Sequence, residues 1–248
     1  MSSPSSFSRL RALIALVLML CCLLSLFSCK NKLHTLTVRG SDYLDKKTDT
    51  TYKALPASYE PIAQGNEYGE LDLSGMTYIL HEIAGLSPKD FLCSVYGDVY
   101  HDKDIDFPTF DQWELTSAIV CNDTAIVVAV LTLNASNEKH APILNELKQR
   151  WDNDISVTYP SYLTPVRVHT LRFTSDTAPG LYYSVKLLEY GEDVYDVVVN
   201  DAGEEIEVNL GRCFLYDRYS KRCVSIPDDI FRLLDGDTTV SDEEKPAA

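Results

Sequence analysis

The sequence predicts an α+β fold: an antiparallel β-sheet with a few short covering helices. Three observations carry this expectation. Residues 155–226 are dominated by segments rich in β-branched and aromatic residues. Residues 142–151 place apolar side chains at helical spacing. Pro88 and Pro227 sit where a helix would start, each with an acidic residue close behind.

The elements follow in chain order. LHTLTV at 33–38 reads as one short strand in an otherwise polar stretch that runs to about Glu70. At Ser87-Pro88-Lys89-Asp90, Ser can cap, Pro suits the first helical position and Asp takes the capping-box place, with Gly97 as the stop. Trp113 to Asn134 reads as a hairpin turning at Asn122-Asp123. Its second arm, TAIVVAVLTL, is almost wholly apolar and is expected to be buried on both faces. Pro142 to Trp151 predicts a short helix with Ile143, Leu144, Leu147 and Trp151 as its stripe. ISVTY, VRVHTLRFT, LYYSVKLLEY, DVYDVVV, EEIEVNLGRCFLY and RCVSI then read as strands, two of them joined at NDAG, residues 200–203. Beyond that turn Glu205, Glu207 and Asn209 alternate with Ile206, Val208 and Leu210, which predicts a wet face and a packed face. Pro227-Asp228-Asp229 starts a final helix carrying Ile230, Phe231, Leu233 and Leu234.

The N-terminus reads as a targeting segment. Arg9 and Arg11 precede an uncharged apolar run from Ala12 to Phe27, which ends at Ser28-Cys29. A positive flank, an apolar stretch and a small-residue exit mark an export signal. The segment resembles a bacterial lipoprotein signal, with Leu26, Ser28 and Cys29 at the matching places. The resemblance implies diacylation of Cys29, cleavage before it, and, with Lys30 next in line, outer-membrane sorting. A simple secretion signal and an uncleaved spanning anchor stand as alternatives, because the run approaches the 17–25 residues that cross a bilayer. All three put the folded part outside the cytoplasm. The expected organisation is a signal over 1–28, a lipid-anchored tether over 29–70, one globular domain over 71–236 and an acidic disordered tail over 237–248.

Charge narrows the partners. The chain carries 22 basic and 37 acidic residues, a formal charge of −15, and removal of residues 1–28 takes it to −17. Phosphate backbones repel such a domain, so nucleic acid is not an expected partner. Membrane contact is expected only through the N-terminal lipid, with an envelope protein as a further partner.

Four cysteines follow Cys29, and an even number in an oxidising compartment predicts disulfides. Cys213 and Cys223 flank a polar turn and are expected to bridge across a hairpin; Cys93 and Cys121 form the second pair. Buried free thiols are the other reading. Metal ligation is not expected, since no two cysteines have CxxC spacing.

Motifs for chemistry are sparse. His81-Glu82 lacks a second His four residues on, and the calcium-like HDKDIDF at 101–107 lacks the Gly and the closing Glu of a calcium loop. No nucleophile elbow, phosphate loop or dinucleotide fingerprint is present, and no cofactor is expected. His169 lies in an expected strand as a packed imidazole. Asp-Thr triplets at 49–51, 123–125, 176–178 and 237–239 resemble the acceptor motif of O-glycosylation systems in some Gram-negative periplasms, which makes Thr50, Thr124, Thr177 and Thr238 candidate acceptors.

The run YDRYSKRCVSIPDDI, within 193–234, resembles the end of hot-dog-fold acyl thioesterases. The upstream catalytic region and long central helix of that family have no match here, so no catalytic residue is carried over. The expected function is therefore a lipid-anchored binding or structural module of the cell envelope, without enzymatic activity. The alternative is an envelope hydrolase, a thioesterase among them, using His169 or an acidic pair.

Fatty-acid labelling is expected to mark the protein, and Cys29→Ala to abolish the label and release the protein from the membrane fraction. One acyl chain holds a membrane only marginally, whereas the two chains of a diacyl anchor hold it stably. A label that survives the substitution excludes the site.

Overall fold

A computed structural model of the chain describes residues 33–133, 140–153, 156–199 and 203–228. The architecture is mostly β, not α+β with several helices: the described residues form fourteen strands, one α-helix and one turn of 3-10 helix.

Seven short strands close into an antiparallel barrel. Three come first: β1 (His34–Arg39), β2 (Asp42–Asp45) and β3 (Thr50–Ala54). The chain then leaves the barrel for β4 (Tyr59–Pro61) and returns through β5 (Gln64–Leu73), β6 (Met76–Ile83), β7 (Phe91–Ser94) and β8 (Val99–Asp102). The order around the barrel is β1-β2-β3-β8-β7-β6-β5. Its interior is filled by Leu36, Tyr52, Leu71, Leu80, Leu92 and Tyr100, one from each strand except β2, with Tyr43 of β2 packed against them. The Tyr52 hydroxyl donates to the Pro88 carbonyl at 2.8 Å. Asp45 is fully buried and accepts from the Lys47 N–H, the Thr48 hydroxyl and the Tyr68 hydroxyl at 2.8–2.9 Å.

Much of the stretch expected to be a tether thus supplies five strands, four of them barrel staves. β1 to β4 are three to six residues long and carry too few inward positions to show a clear period, and β5, though ten residues long, is exposed over its first four residues, which is why the pattern looked polar. The expected helix after Ser87 is a single turn, with the Asp90 and Phe91 N–H groups both donating to the Ser87 carbonyl. The next residues pair with β6 and β8 and bury Leu92, Cys93 and Ser94, so tertiary pairing overrides a local start signal.

The second sheet has the order β10-β9-β11-β12-β13-β14, with β4 added alongside β12. Its strands are β9 (Leu115–Cys121), β10 (Val127–Thr132), β11 (Arg167–Ser175), β12 (Leu181–Val199), β13 (Glu205–Tyr216) and β14 (Cys223–Ile226). β12 runs 19 residues and merges two segments that read separately in the sequence. One edge of it pairs first with β4 over Leu181–Tyr183, then with β13 from Lys186 onward.

The single α-helix among the described residues, α1 (His140–Asn153), buries the expected stripe of Ile143, Leu144, Leu147 and Trp151. It contacts both β10 and β14, which lie at opposite ends of the sheet order, so the sheet curls around it. The core inside this curl continues onto Tyr59, Ile83, Cys93 and Val99 from the barrel half of the chain.

Two burial expectations are corrected. β10 is an edge strand among the described residues and exposes Val127, Val128 and Val130. The tip of the β12–β13 hairpin exposes Val197 and Ile206, so the predicted packed face is lost there; further along β13, Val208 and Leu210 are half-buried between exposed Glu207 and Asn209 as the alternation predicts. The expected final helix over 230–234 lies outside the described residues.

Gly180 fixes the approach of the two halves. Its φ is +84°, and its carbonyl accepts from the Ile62 N–H at 2.9 Å just beyond β4. A Cβ there would stand 2.9 Å from Leu86 Cγ and 3.0 Å from Cδ1. Gly180→Ala is therefore expected to lower stability by about 1–3 kcal/mol through backbone strain and crowding, read from urea unfolding at neutral pH.

Candidate functional site

The site is built on the six-residue connection between β13 and β14. The Asp217 N–H donates to the Arg222 carbonyl at 2.9 Å and closes the turn, while Lys221 adopts a left-handed φ of +62°. The Asp217 side chain folds inward and is 2% exposed. Its Oδ1 accepts from the Ser58 hydroxyl at 2.7 Å and the Tyr219 N–H at 2.8 Å. Its Oδ2 accepts from the Tyr183 and Ser220 hydroxyls, both at 2.8 Å. Burial alone would push this carboxyl upward, but the four donors outweigh it and hold Asp217 below the usual carboxylate range.

Aromatic rings surround this knot. Phe110 stacks on Tyr183 with ring centres 3.9 Å apart and planes 8° apart, and Tyr59 meets Tyr183 edge-on at 5.1 Å. Burial, then the Asp217 charge, pushes the Tyr183 phenol far above its ordinary value, and burial pushes Tyr59 up to about 12. Both are neutral hydroxyls across the physiological range.

A cavity of about 370 Å³ opens over this floor, with Phe110, Trp151 and Tyr183 below and Thr109, Asp111 and Ser220 at its rim. Three carboxylates, Asp111, Asp152 and Asp217, and the Arg222 guanidinium line it, and most of these groups are engaged within the wall. Lys148 pairs with Asp152, donates to the Asp111 carbonyl at 3.0 Å and lies over the Phe110 ring. Arg222 lies over Trp151 and donates to the Trp151 carbonyl, with the Nε contact at 3.0 Å. The Asp111 carboxylate accepts from the Thr109 hydroxyl. With its lone pairs filled by four donors, the Asp217 carboxylate has no proton-accepting role to offer. The turn itself was visible in the sequence as DRYSKR; Ser58, Tyr183 and Phe110 were not, since nothing local ties them to it.

The expected cysteine pairs are not brought together. All four described cysteines are free and buried. On the β13–β14 ladder Cys213 sits opposite Ile226 and Cys223 opposite Tyr216, three positions apart. An odd offset points the two side chains to opposite faces of the sheet, Cys213 into the main core and Cys223 into the cluster of Leu188, Tyr190 and Phe214. Cys93 also lies in the main core, whereas Cys121 is contacted by the Arg172 guanidinium at 3.8 Å. Burial pushes the Cys93 thiol up to about 11 and Cys223 up to about 12, which keeps them protonated and inert.

Cys29 and Thr238 lie outside the described residues. Thr124 is exposed on the β9–β10 turn, where the Asn122 side-chain oxygen accepts from its N–H and hydroxyl. Thr177 is exposed and accepts from the Glu114 N–H, and Thr50 is half-buried at the start of β3. His169 lies on the core-facing side of β11, in line with Leu171 and Phe173. It does not line the cavity over Asp217. Asp102 caps its own turn by accepting from the Asp104 N–H at 3.0 Å.

No family model matches this chain, and comparison with curated proteins and with solved structures finds no significant match.

Asp217→Asn replaces an acceptor oxygen with an NH2 group that faces hydroxyl donors. It is expected to cost about 2–4 kcal/mol at pH 7. Because the folded carboxyl is depressed, its contribution is complete above the unfolded value and is lost as pH falls through the lower folded value. The gap between wild type and variant in urea unfolding should therefore narrow as the pH drops from about 4 towards 2.

Proposed function

We propose that this protein is an exported, lipid-anchored component of the cell envelope that acts as a non-enzymatic binding module, with the aromatic cleft over Asp217 as its ligand seat. Lipidation at Cys29 and placement at the outer membrane rest on the N-terminal segment. The binding role rests on one observation: the cleft is lined by stacked aromatic rings over a buried carboxylate, Asp217, whose lone pairs are filled by four donors of the protein itself. Such a seat favours an uncharged ligand with an apolar face and a hydroxyl or amide edge. The rings take the apolar face, and Thr109, Asp111 and Ser220 offer hydrogen-bonding groups to the edge.

The two tryptophans of the chain, Trp113 and Trp151, are both in the core beneath or beside this cleft, so intrinsic fluorescence reports on it. Titration with neutral oligosaccharides and short uncharged peptides is expected to give a saturable fluorescence change for a member of one set. Thr109→Ala and Asp111→Ala are each expected to weaken that binding about fivefold, the equivalent of about 1 kcal/mol for one hydrogen bond. The same preparations go into an acyl-thioester and ester hydrolysis screen. Turnover that one point substitution abolishes would replace the binding reading with the hydrolase alternative.

A further inference from the structure

On the outer face of the second sheet, opposite the core, three cations from separate parts of the chain share one surface. Arg172 on β11 stands in register with Ser184 on β12, and Thr170 with Lys186. Lys186 is in turn opposite Tyr216 on β13, and the β13–β14 turn brings Arg218 and Tyr219 over the same area. Glu60 on β4 is the acid here, and it is neutralised by Arg172 at 2.9 Å. Lys186 donates to the Thr170 hydroxyl at 2.8 Å, and neither Lys186 nor Arg218 has a carboxylate partner among the described residues. The local balance is therefore positive by two charges, on a chain whose formal charge is −15.

Glu60, Thr170, Lys186, Tyr216, Arg218 and Tyr219 line a recess of about 180 Å³. Ser184 is among its lining residues, and the Ser184 Oγ is buried beneath the surface without a hydrogen-bond partner. Such unsatisfied hydroxyls are uncommon in folded proteins, and each carries a desolvation cost. A wider cavity of about 510 Å³ adjoins it across Glu60 and Tyr219 and is lined in part by Arg172.

We infer that this recess is an oxyanion site for a group of the phosphate class, separate from the uncharged-ligand cleft on the other side of the same turn. Two cations without acid partners among the described residues supply the charge, and the Thr170 hydroxyl, which accepts from Lys186, supplies a further polar contact. Donors from several directions suit a tetrahedral anion better than a planar one. The recess admits the anionic group itself, and the wider cavity has room for what is attached to it.

The test uses the full-length protein in a neutral detergent and inorganic phosphate, followed by 31P line broadening at ionic strength matched with NaCl. Saturable broadening is expected. A Lys186→Gln/Arg218→Gln double variant is expected to weaken it at least about tenfold, and Thr170→Val severalfold. Asp111→Ala, in the other cleft, should leave it unchanged, which separates this site from the ligand seat over Asp217. Competition by phosphatidylglycerol vesicles but not phosphatidylcholine vesicles would identify a lipid headgroup as the source; phosphate binding without such competition would identify a free anion. Absence of saturable broadening, or equal binding by a double variant with unchanged thermal melting, overturns the site.

Discussion

The buried carboxylate of Asp217 is the constraint on which the second half of the molecule depends. Its four donors come from three distant stretches of chain: Ser58 before β4, Tyr183 on β12, and Tyr219 with Ser220 in its own turn. A carboxylate removed from water must have its lone pairs filled, so the three stretches cannot move apart without exposing or orphaning a charge. That requirement pins β4 beside β12, and β4 is the segment the barrel sends out between β3 and β5. One acid therefore joins the two sheets. It also sets the Tyr183 ring against which Phe110 and Tyr59 pack.

The barrel repeats the device on a smaller scale. Asp45 is buried at the end of β2, caps its own turn through Lys47 and Thr48, and takes a tyrosine hydroxyl from Tyr68 on another strand. In both places an aspartate satisfied by its own turn also accepts from a tyrosine remote in sequence. The turn gives the local order, and the phenol gives the long-range attachment. Neither carboxylate is left as a base, which fits a protein that holds surfaces in place.

The turn over Asp217 also organises the molecular surface. Its inward residues, Asp217, Ser220 and Arg222, border the aromatic cleft, while Arg218 and Tyr219 border the basic recess on the other face. Pinning the turn at Asp217 therefore positions two differently charged surfaces at once. The cleft carries three carboxylates and one guanidinium among its aromatic walls, whereas the recess is positive, although the chain as a whole is strongly acidic. Local field, not net charge, governs what each surface can hold.

The sequence by itself determined the elements whose signals are local. Helix α1 and its stripe of Ile143, Leu144, Leu147 and Trp151 were legible because four apolar residues on one helical face leave an unambiguous period. The β9–β10 hairpin and the strands from β11 to β14 were legible from their composition. The expectation of an export signal ending at Cys29 rests on the residues alone, which lie outside the described part of the structure. Only the tertiary structure decided the rest. The barrel was hidden because most of its staves are four to six residues long and contribute few inward side chains, and the longer β5 begins with exposed polar residues. The helix expected after Ser87 gave way to strand pairing. The predicted Cys213–Cys223 bridge fails on register, since an offset of three turns the two thiols to opposite faces. Asp217 with Ser58 and Tyr183, and Lys186 with Arg172 and Arg218, meet only through folding, because strand register and sheet curl, which no local pattern encodes, bring distant residues into one place.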